Sequence, residues 1–285
     1  MVRFTKMHGL GNDYLVIDAM QESPPEATLP ALAKAMSDRH FGVGSDGLIL
    51  VLPSRLADFK MRVFNSDGSE AEMCGNGIRL FAKFVYERGY THGRDLEVET
   101  LAGTIRPHLR VRGNQVQSVR VDMGAPRFAR SEIPMKGPDQ PQVVKERLRV
   151  GGQRYSITAL SMGNPHCVLF VEDVNRAKVE EIGPAIEHHD LFPRRTNVEF
   201  VQIVGEGEIK MRVWERGAGE TLACGTGASA ALVAAVLNGL SPRKATLHLR
   251  GGDLKVNWIA DDDHVFIDGP AAEVCTGETR LDEAL

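Results

Sequence analysis

The chain has 285 residues, 42% hydrophobic and 25% charged, with a formal net charge of −4. This describes an ordinary globular chain of about two domains. It excludes a basic nucleic-acid footprint, and the longest nearly apolar run, "ASAALVAAVL", has roughly ten residues against the ~20 a membrane-spanning helix needs. The N-terminus, "MVRFTKMHGLGND", lacks the apolar stretch of a signal peptide. None of the four cysteines is in C-x-x-C spacing, so neither a disulfide framework nor a zinc site is expected, and reduced thiols in a cytoplasm are the simplest reading.

In chain order, "YLVIDAM" (14–20) reads as a strand, "LPALAKAMSDRHF" (29–41) as helix-like, and "LILVL" (48–52) and "KMRVF" (60–64) as strands. "GIRLFAKFVYERG" (77–89) places apolar residues at 78, 81, 84 and 85, one helical face, with Gly89 as its C-terminal stop. "LEVET" (96–100) and "QSVRVDM" (117–123) are further strands, and alternation along the strands suits an antiparallel sheet. A turn-rich stretch follows, "APRFARSEIPMKGPDQPQ" (125–142). "GASAALVAAVLNGLSP" (227–242) is a more apolar helix, expected to be buried and wrapped by its own sheet.

The chain is written twice. "KMRVFNSDGSEAEMCGNG" (60–77) lies over "KMRVWERGAGETLACGTG" (210–227) without a gap, sharing Lys, Met, Arg, Val, one Glu and Cys-Gly-x-Gly. Upstream, "GNDYLVID" from Gly11 lies over "GNPHCVLF" from Gly163. Weaker matches follow, "EVETLAG" over "TLHLRGG" and "VDMGAP" over "FIDGPA". The expected architecture is α+β, two homologous domains from an internal duplication, each a mainly antiparallel sheet around a central helix. The domains are expected at 1–125 with 271–285, and at 126–270, the last fifteen residues packing back on the first half.

Each half sets one cysteine, Cys74 or Cys224, at the junction of strand and helix. Backbone N–H groups there favour negative charge and can lower a thiol pKa. The Gly-x-Gly that follows lets amides approach an anion such as a carboxylate. Inverting a carbon stereocentre through a carbanion needs a base on one face and an acid on the other, and two such thiols supply both. One cysteine before a helix is more often a small buried hydrophobe; the recurrence in matched settings is what raises the functional reading. Cys167 and Cys275 lack that setting and are assigned to packing.

The stretches "KMHGLGNDYLVID", "FGVGSDGLI", "FNSDGSEAEMCGNGIR", "MGNPHCV", "NVEF" and "ERGAGETLACGTGA" resemble the diaminopimelate epimerase family over essentially the whole chain. The resemblance implies cofactor-independent and metal-independent conversion of LL-2,6-diaminopimelate to meso-diaminopimelate in lysine and peptidoglycan precursor biosynthesis. It implies Cys74 and Cys224 as the acid/base pair, and Gly75, Asn76, Gly225 and Thr226 as the cradle of the reacting carboxylate. It implies Asn12, Asn65, Asn164, Asn197 and Arg216 at the non-reacting end, Glu215 at the reacting ammonium and His166 as an aid to proton transfer. It further implies a cytoplasmic enzyme, often a homodimer, with no nucleic-acid or membrane partner. Asn12 and Asn65 have a rival reading as turn residues, His166 as a satisfied core histidine and Arg216 as a solvated loop charge. One departure is Gly47, where many family members carry Gln, so Gly47 is left out of the site.

Three rival functions are weaker. "GVGSDG" (42–47) matches a dinucleotide fingerprint, but a helix precedes it and a strand follows, the reverse of the required order. A redox or metal-binding role for the two cysteines is a second alternative. The third is another cofactor-independent racemase of the same fold, such as a proline racemase relative.

Overall fold

The computed structural model describes residues 1–21, 24–72 and 74–280. The chain divides into two compact units, residues 1–121 with 269–285, and residues 122–268.

In the first unit, β1 (Val2–Gly9) and β2 (Asn12–Asp18) lead to α1 (Leu29–Ser37), then β3 (Gly47–Leu52), β4 (Phe59–Asn65) and the short β5 (Glu70–Ala71). Helix α2 (Gly75–Glu87) follows, then β6 (Val98–Thr100), β7 (Gly103–Ile105), and the antiparallel pair β8 (His108–Arg112) and β9 (Gln115–Asp122). The second unit contains β10 (Val143–Val150), β11 (Gln153–Ser161), β12 (Pro165–Phe170), α3 (Val179–Glu187), β13 (Asn197–Gly205), β14 (Glu208–Glu215) and β15 (Gly219–Thr221). It continues through α4 (Gly225–Leu237), β16 (Lys244–Leu249), β17 (Gly252–Trp258) and β18 (Val265–Gly269). Strand β19 (Ala272–Thr279) returns to the first unit and pairs antiparallel with β1.

The two sheets repeat one plan. Their strand orders are β19-β1-β2-β3-β4-β6-β7, with β5 on β4, and β10-β11-β12-β13-β14-β16-β17, with β15 on β14 and β18 beyond β17. The sequence pattern suggests antiparallel pairing, and most neighbours are antiparallel. Two pairs in each unit are parallel: β2–β3 and β4–β6, then β12–β13 and β14–β16. The reason is topological, because a helix crosses between the partners of each pair, and only a crossover can bring a strand back in the same direction.

Strand β3 is buried along nearly its whole length because it is covered on both faces. Leu48 and Leu50 pack with Leu29, Leu32 and Met36 of α1, whereas Ile49, pointing the other way, lies against the start of α2. The second unit alternates likewise: Cys167, Leu169, Val198 and Phe200 join the cluster around α3, which leaves His166 and Glu199 on the α4 face. On α2 the predicted apolar face is inside, with Ile78, Phe81, Phe84 and Val85 buried and Phe81 edge-on to Phe59 at 6.3 Å between centroids. Helix α4 is buried on almost every side, as its Ala-rich sequence suggests. Among the described residues no helix is long and apolar enough to cross a membrane.

The assignment of Cys275 to packing is corrected. Cys167 is fully buried, but Cys275 is exposed, because β19 is the edge strand of its sheet and shows much of its surface to solvent.

Candidate active site

Each repeated cysteine is the N-cap of its helix. Cys74 and Cys224 have nearly the same extended backbone, φ/ψ −135°/115° and −129°/116°. The Gly77 amide donates to Sγ of Cys74 at 3.3 Å, and the Gly227 amide donates to Sγ of Cys224 at 3.3 Å. The sulfur thus takes the position that a Ser or Asp oxygen takes in an ordinary cap. The next two amides, of Gly75 and Asn76 or of Gly225 and Thr226, begin the helix and fall outside its own hydrogen-bond ladder. The last glycine of Cys-Gly-x-Gly sits in tight space. A Cβ on Gly77 would lie 3.2 Å from Cβ of Cys74 and 3.2 Å from Ile49, and one on Gly227 would lie 3.3 Å from Sγ of Cys224 and 3.0 Å from Glu199.

The other residues shared by the repeat hold these junctions. Arg62 forms a two-point ion pair with Glu70 at 2.7 and 3.0 Å, and Arg212 with Glu220 at 2.7 and 2.8 Å. Each pair fastens the hairpin that delivers the chain to its cysteine.

In the first unit, Asn76 Nδ2 donates to Asn12 Oδ1 at 3.0 Å, and Asn12 Nδ2 donates to Asp46 at 2.7 Å. Asp46 is gripped by Arg39 at 2.8 Å, which also binds Asp13. Asn12 is therefore clamped with its carbonyl toward the cysteine, 4.0 Å from Sγ of Cys74. Asn65 closes the turn after β4, donating to Ser69 Oγ at 2.9 Å, as its turn reading anticipates.

The second unit gathers four ionisable groups. His166, fully buried, sits 2.6 Å from Glu199 through Nδ1 and 2.9 Å from Asn164 Oδ1 through Nε2. Asn164 Nδ2 donates to Thr226 Oγ1 at 3.3 Å, and that hydroxyl lies 3.4 Å from Sγ of Cys224. Burial raises the Glu199 carboxyl above the usual range, against the opposing pull of His166. Burial likewise raises Glu215, which accepts from the Thr221 hydroxyl and from Cys224. The Cys224 thiol is pushed well above its ordinary range, first by burial and then by the charges of Glu215 and Glu199. This reverses, at Cys224, the lowering that a helix start alone suggests.

Asn197 bridges the chain, donating to the Pro165 carbonyl at 3.0 Å and accepting the Arg216 amide at 2.9 Å. Arg216 is exposed, and its guanidinium donates to the Arg194 carbonyl at 3.1 Å; it has no carboxylate partner among the described residues. Buried Glu187 accepts from Trp214 Nε1 at 2.7 Å and from the Gly217 amide at 3.0 Å, bracing the turn that carries Glu215 and Arg216. Among the described residues no group of three His, Cys, Asp or Glu side chains is arranged to hold a metal ion.

A family model described as diaminopimelate epimerase matches residues 4–129 and 158–274. The chain belongs to the diaminopimelate epimerase family. Among its relatives, the diaminopimelate epimerase of Moorella thermoacetica is 57% identical over 281 residues, covering 99% of this chain and 100% of the relative. That of Desulfitobacterium hafniense is 55% identical over 285 residues, covering 100% of each. Solved structures of the same fold include a Bacillus anthracis phenazine biosynthesis protein of the PhzF family, with TM-score 0.71 at 18% identity over 98% of this chain and 99% of that one. A probable proline racemase from Agrobacterium radiobacter, with bound carbonate, has TM-score 0.70 at 17% identity over 99% and 94%. These two show the fold alone. The epimerase family membership favours the diaminopimelate reading over the proline racemase alternative and makes the chain an isomerase.

Proposed function

We propose that this isomerase inverts one α-carbon of LL-diaminopimelate to give the meso form, with Cys74 and Cys224 as base and acid on opposite faces of that carbon. The observation that carries the reading is the matched pair of N-cap cysteines, each receiving a backbone amide on sulfur. One thiolate removes the α-proton, the electron pair is held as an enolate-like carbanion by the reacting carboxylate, and the other thiol returns a proton from the opposite side. Burial, and then the charges of Glu215 and Glu199, push the Cys224 thiol up, which suits it to the donor's part in this direction, and the two roles exchange in the reverse direction.

The amides of Gly75, Asn76, Gly225 and Thr226 bind the reacting carboxylate, and Glu215 binds the reacting ammonium. Arg216 grips the distal carboxylate, while Asn12, Asn65, Asn164 and Asn197 hold the non-reacting end directly or by fixing neighbours. His166 supports proton transfer. The reaction uses no metal or organic cofactor, and the enzyme works in the cytoplasm as a homodimer.

Deuterium uptake from solvent into LL-diaminopimelate tests this. The enzyme should turn over after exhaustive chelation, and Cys74→Ala and Cys224→Ala should each nearly abolish inversion with the circular dichroism unchanged. A folded variant of either kind with full turnover overturns the two-thiol reading.

A further inference from the structure

Position 14 carries a tyrosine whose place in the repeat is informative. Aligning "GNDYLVID" with "GNPHCVLF" sets Tyr14 over His166, and the strand registers agree. Tyr14 on β2 pairs with Gly47 on β3, as His166 on β12 pairs with Asn197 on β13. Both side chains point to the face where the N-cap cysteine lies. Leu15 and Ile17, on the opposite face of β2, pack against α1, as Cys167 and Leu169 pack toward α3.

We propose that Tyr14 is a positioning residue for the Cys74 base, its hydroxyl following the sulfur through the proton-transfer cycle. The phenol is buried, 6% exposed, and its oxygen lies 3.3 Å from Sγ of Cys74. A phenol hydroxyl both donates and accepts. It accepts from the S–H when Cys74 is protonated and donates to the sulfur when Cys74 is a thiolate. The Gly77 amide can only donate. Tyr14 is thus the partner that can serve Cys74 in both protonation states.

Gly47 makes this arrangement possible. A Cβ at position 47 would meet the Phe64 carbonyl oxygen at 2.2 Å and Cε1 of Tyr14 at 2.9 Å. No side chain fits there while Tyr14 holds its place and β3 stays against β4. The departure of this chain at Gly47 and the tyrosine at position 14 are one feature, a ring occupying the space beside a strand stripped of its side chain.

The proposal rests on the reading of Cys74 as a reacting thiol, and the test separates the two. In a Cys224→Ala/Cys275→Ser background, Cys74 is the accessible thiol, because Cys167 is fully buried. Adding Tyr14→Phe removes one oxygen and leaves the ring. A hydrogen bond to a charged group is worth a factor of roughly ten or more, so iodoacetamide alkylation of Cys74 at pH 7 should slow about ten-fold. At pH 10, above the ordinary thiol range of about 8.5, the two rates should converge. Tyr14→Phe in the otherwise native enzyme should lower kcat by a similar factor and change KM by less than about two-fold. Equal alkylation rates at pH 7, or a deficit of the same size at pH 7 and pH 10, would overturn the proposal, the latter by revealing a mere change of access. Turnover of Cys74→Ala, measured alongside, judges the underlying reading: if that variant is fully active, the reading falls and the proposal with it.

Discussion

Gly227→Ala and Gly77→Ala ask whether the last glycine of each Cys-Gly-x-Gly exists to seat the sulfur. Both lie in the first turn of a helix, where replacing Gly by Ala gains up to ~1 kcal/mol of helix propensity and chain entropy. Against that stands crowding. A Cβ at 77 would sit 3.2 Å from Cβ of Cys74, 3.4 Å from its Sγ and 3.2 Å from Cδ1 of Ile49. The isoleucine methyl is the end of a flexible side chain and can yield. A Cβ at 227 would sit 3.3 Å from Sγ of Cys224 and 3.0 Å from the Glu199 carboxylate. That carboxylate is fully buried and held 2.6 Å from His166, so it cannot retreat, and the sulfur must.

Overpacking costs ~1–3 kcal/mol, so the two terms nearly cancel at position 77 and leave Gly227→Ala destabilised by roughly 1–2 kcal/mol. Activity has no compensating gain. Misplacing a reacting atom by ~1 Å costs about a hundred-fold, so a few tenths of an ångström should cost about ten-fold in kcat for Gly227→Ala and less for Gly77→Ala. Urea unfolding midpoints and deuterium uptake into LL-diaminopimelate measure the two quantities. Gly227→Ala with native kcat, or Gly77→Ala impaired as much as Gly227→Ala, would refute the steric reasoning.

Arg216→Met should lower kcat/KM for diaminopimelate by roughly 30-fold to several-thousand-fold, the range for removing a charged hydrogen-bond partner, with thiol alkylation rates near normal. Unchanged kcat/KM would make Arg216 a loop charge. Glu199→Ala should destabilise the protein by ~3–5 kcal/mol, as loss of one member of a buried pair does, and Glu199→Gln by clearly less, read from urea midpoints; equal losses would show that the pair's hydrogen bond is immaterial. Cys167 and Cys224 have thiols raised by burial, so each contributes stability fully present below about pH 8.5, the unfolded value, and lost as pH rises toward the folded value. Cys167→Ala should flatten the decline of stability between pH 8.5 and 10 by up to ~1.4 kcal/mol per pH unit, and an unchanged slope would count against that linkage.

The cysteine junctions were legible because the duplication wrote them twice. Residues recurring in register, Arg62 with Glu70 and Arg212 with Glu220, prove to be paired to one another. The parallel pairs were not legible, since each is made by strands separated by a helix, and local alternation carries no direction. Glu199 was hidden within "NVEF", where a strand buried on both faces loses the alternation that would single out an inward carboxylate. The acidity of Cys224 was misjudged for a reason of magnitude. A helix start is worth ~0.3–1 kcal/mol, less than the 1.36 kcal/mol of one pKa unit, whereas full burial can shift a group by up to 3–5 units.

Where the halves diverge, the divergence surrounds the sulfurs. Strand registers and the repeat set Tyr14 against His166, and the same parallel register sets Ile49 against Glu199. The turn after the fourth strand sets Asn65 against Glu215 and Ser66 against Arg216. The backbone cradle is common to both: an N-cap cysteine with a glycine amide on its sulfur. The second unit adds two carboxylates and an imidazole to that cradle; the first has a phenol, a methyl and an amide at the same places. Burial first, and then the carboxylates found in one copy alone, push the Cys224 thiol above its ordinary range. Duplication thus supplied two cysteine cradles of one geometry, and three substituted positions gave them different surroundings.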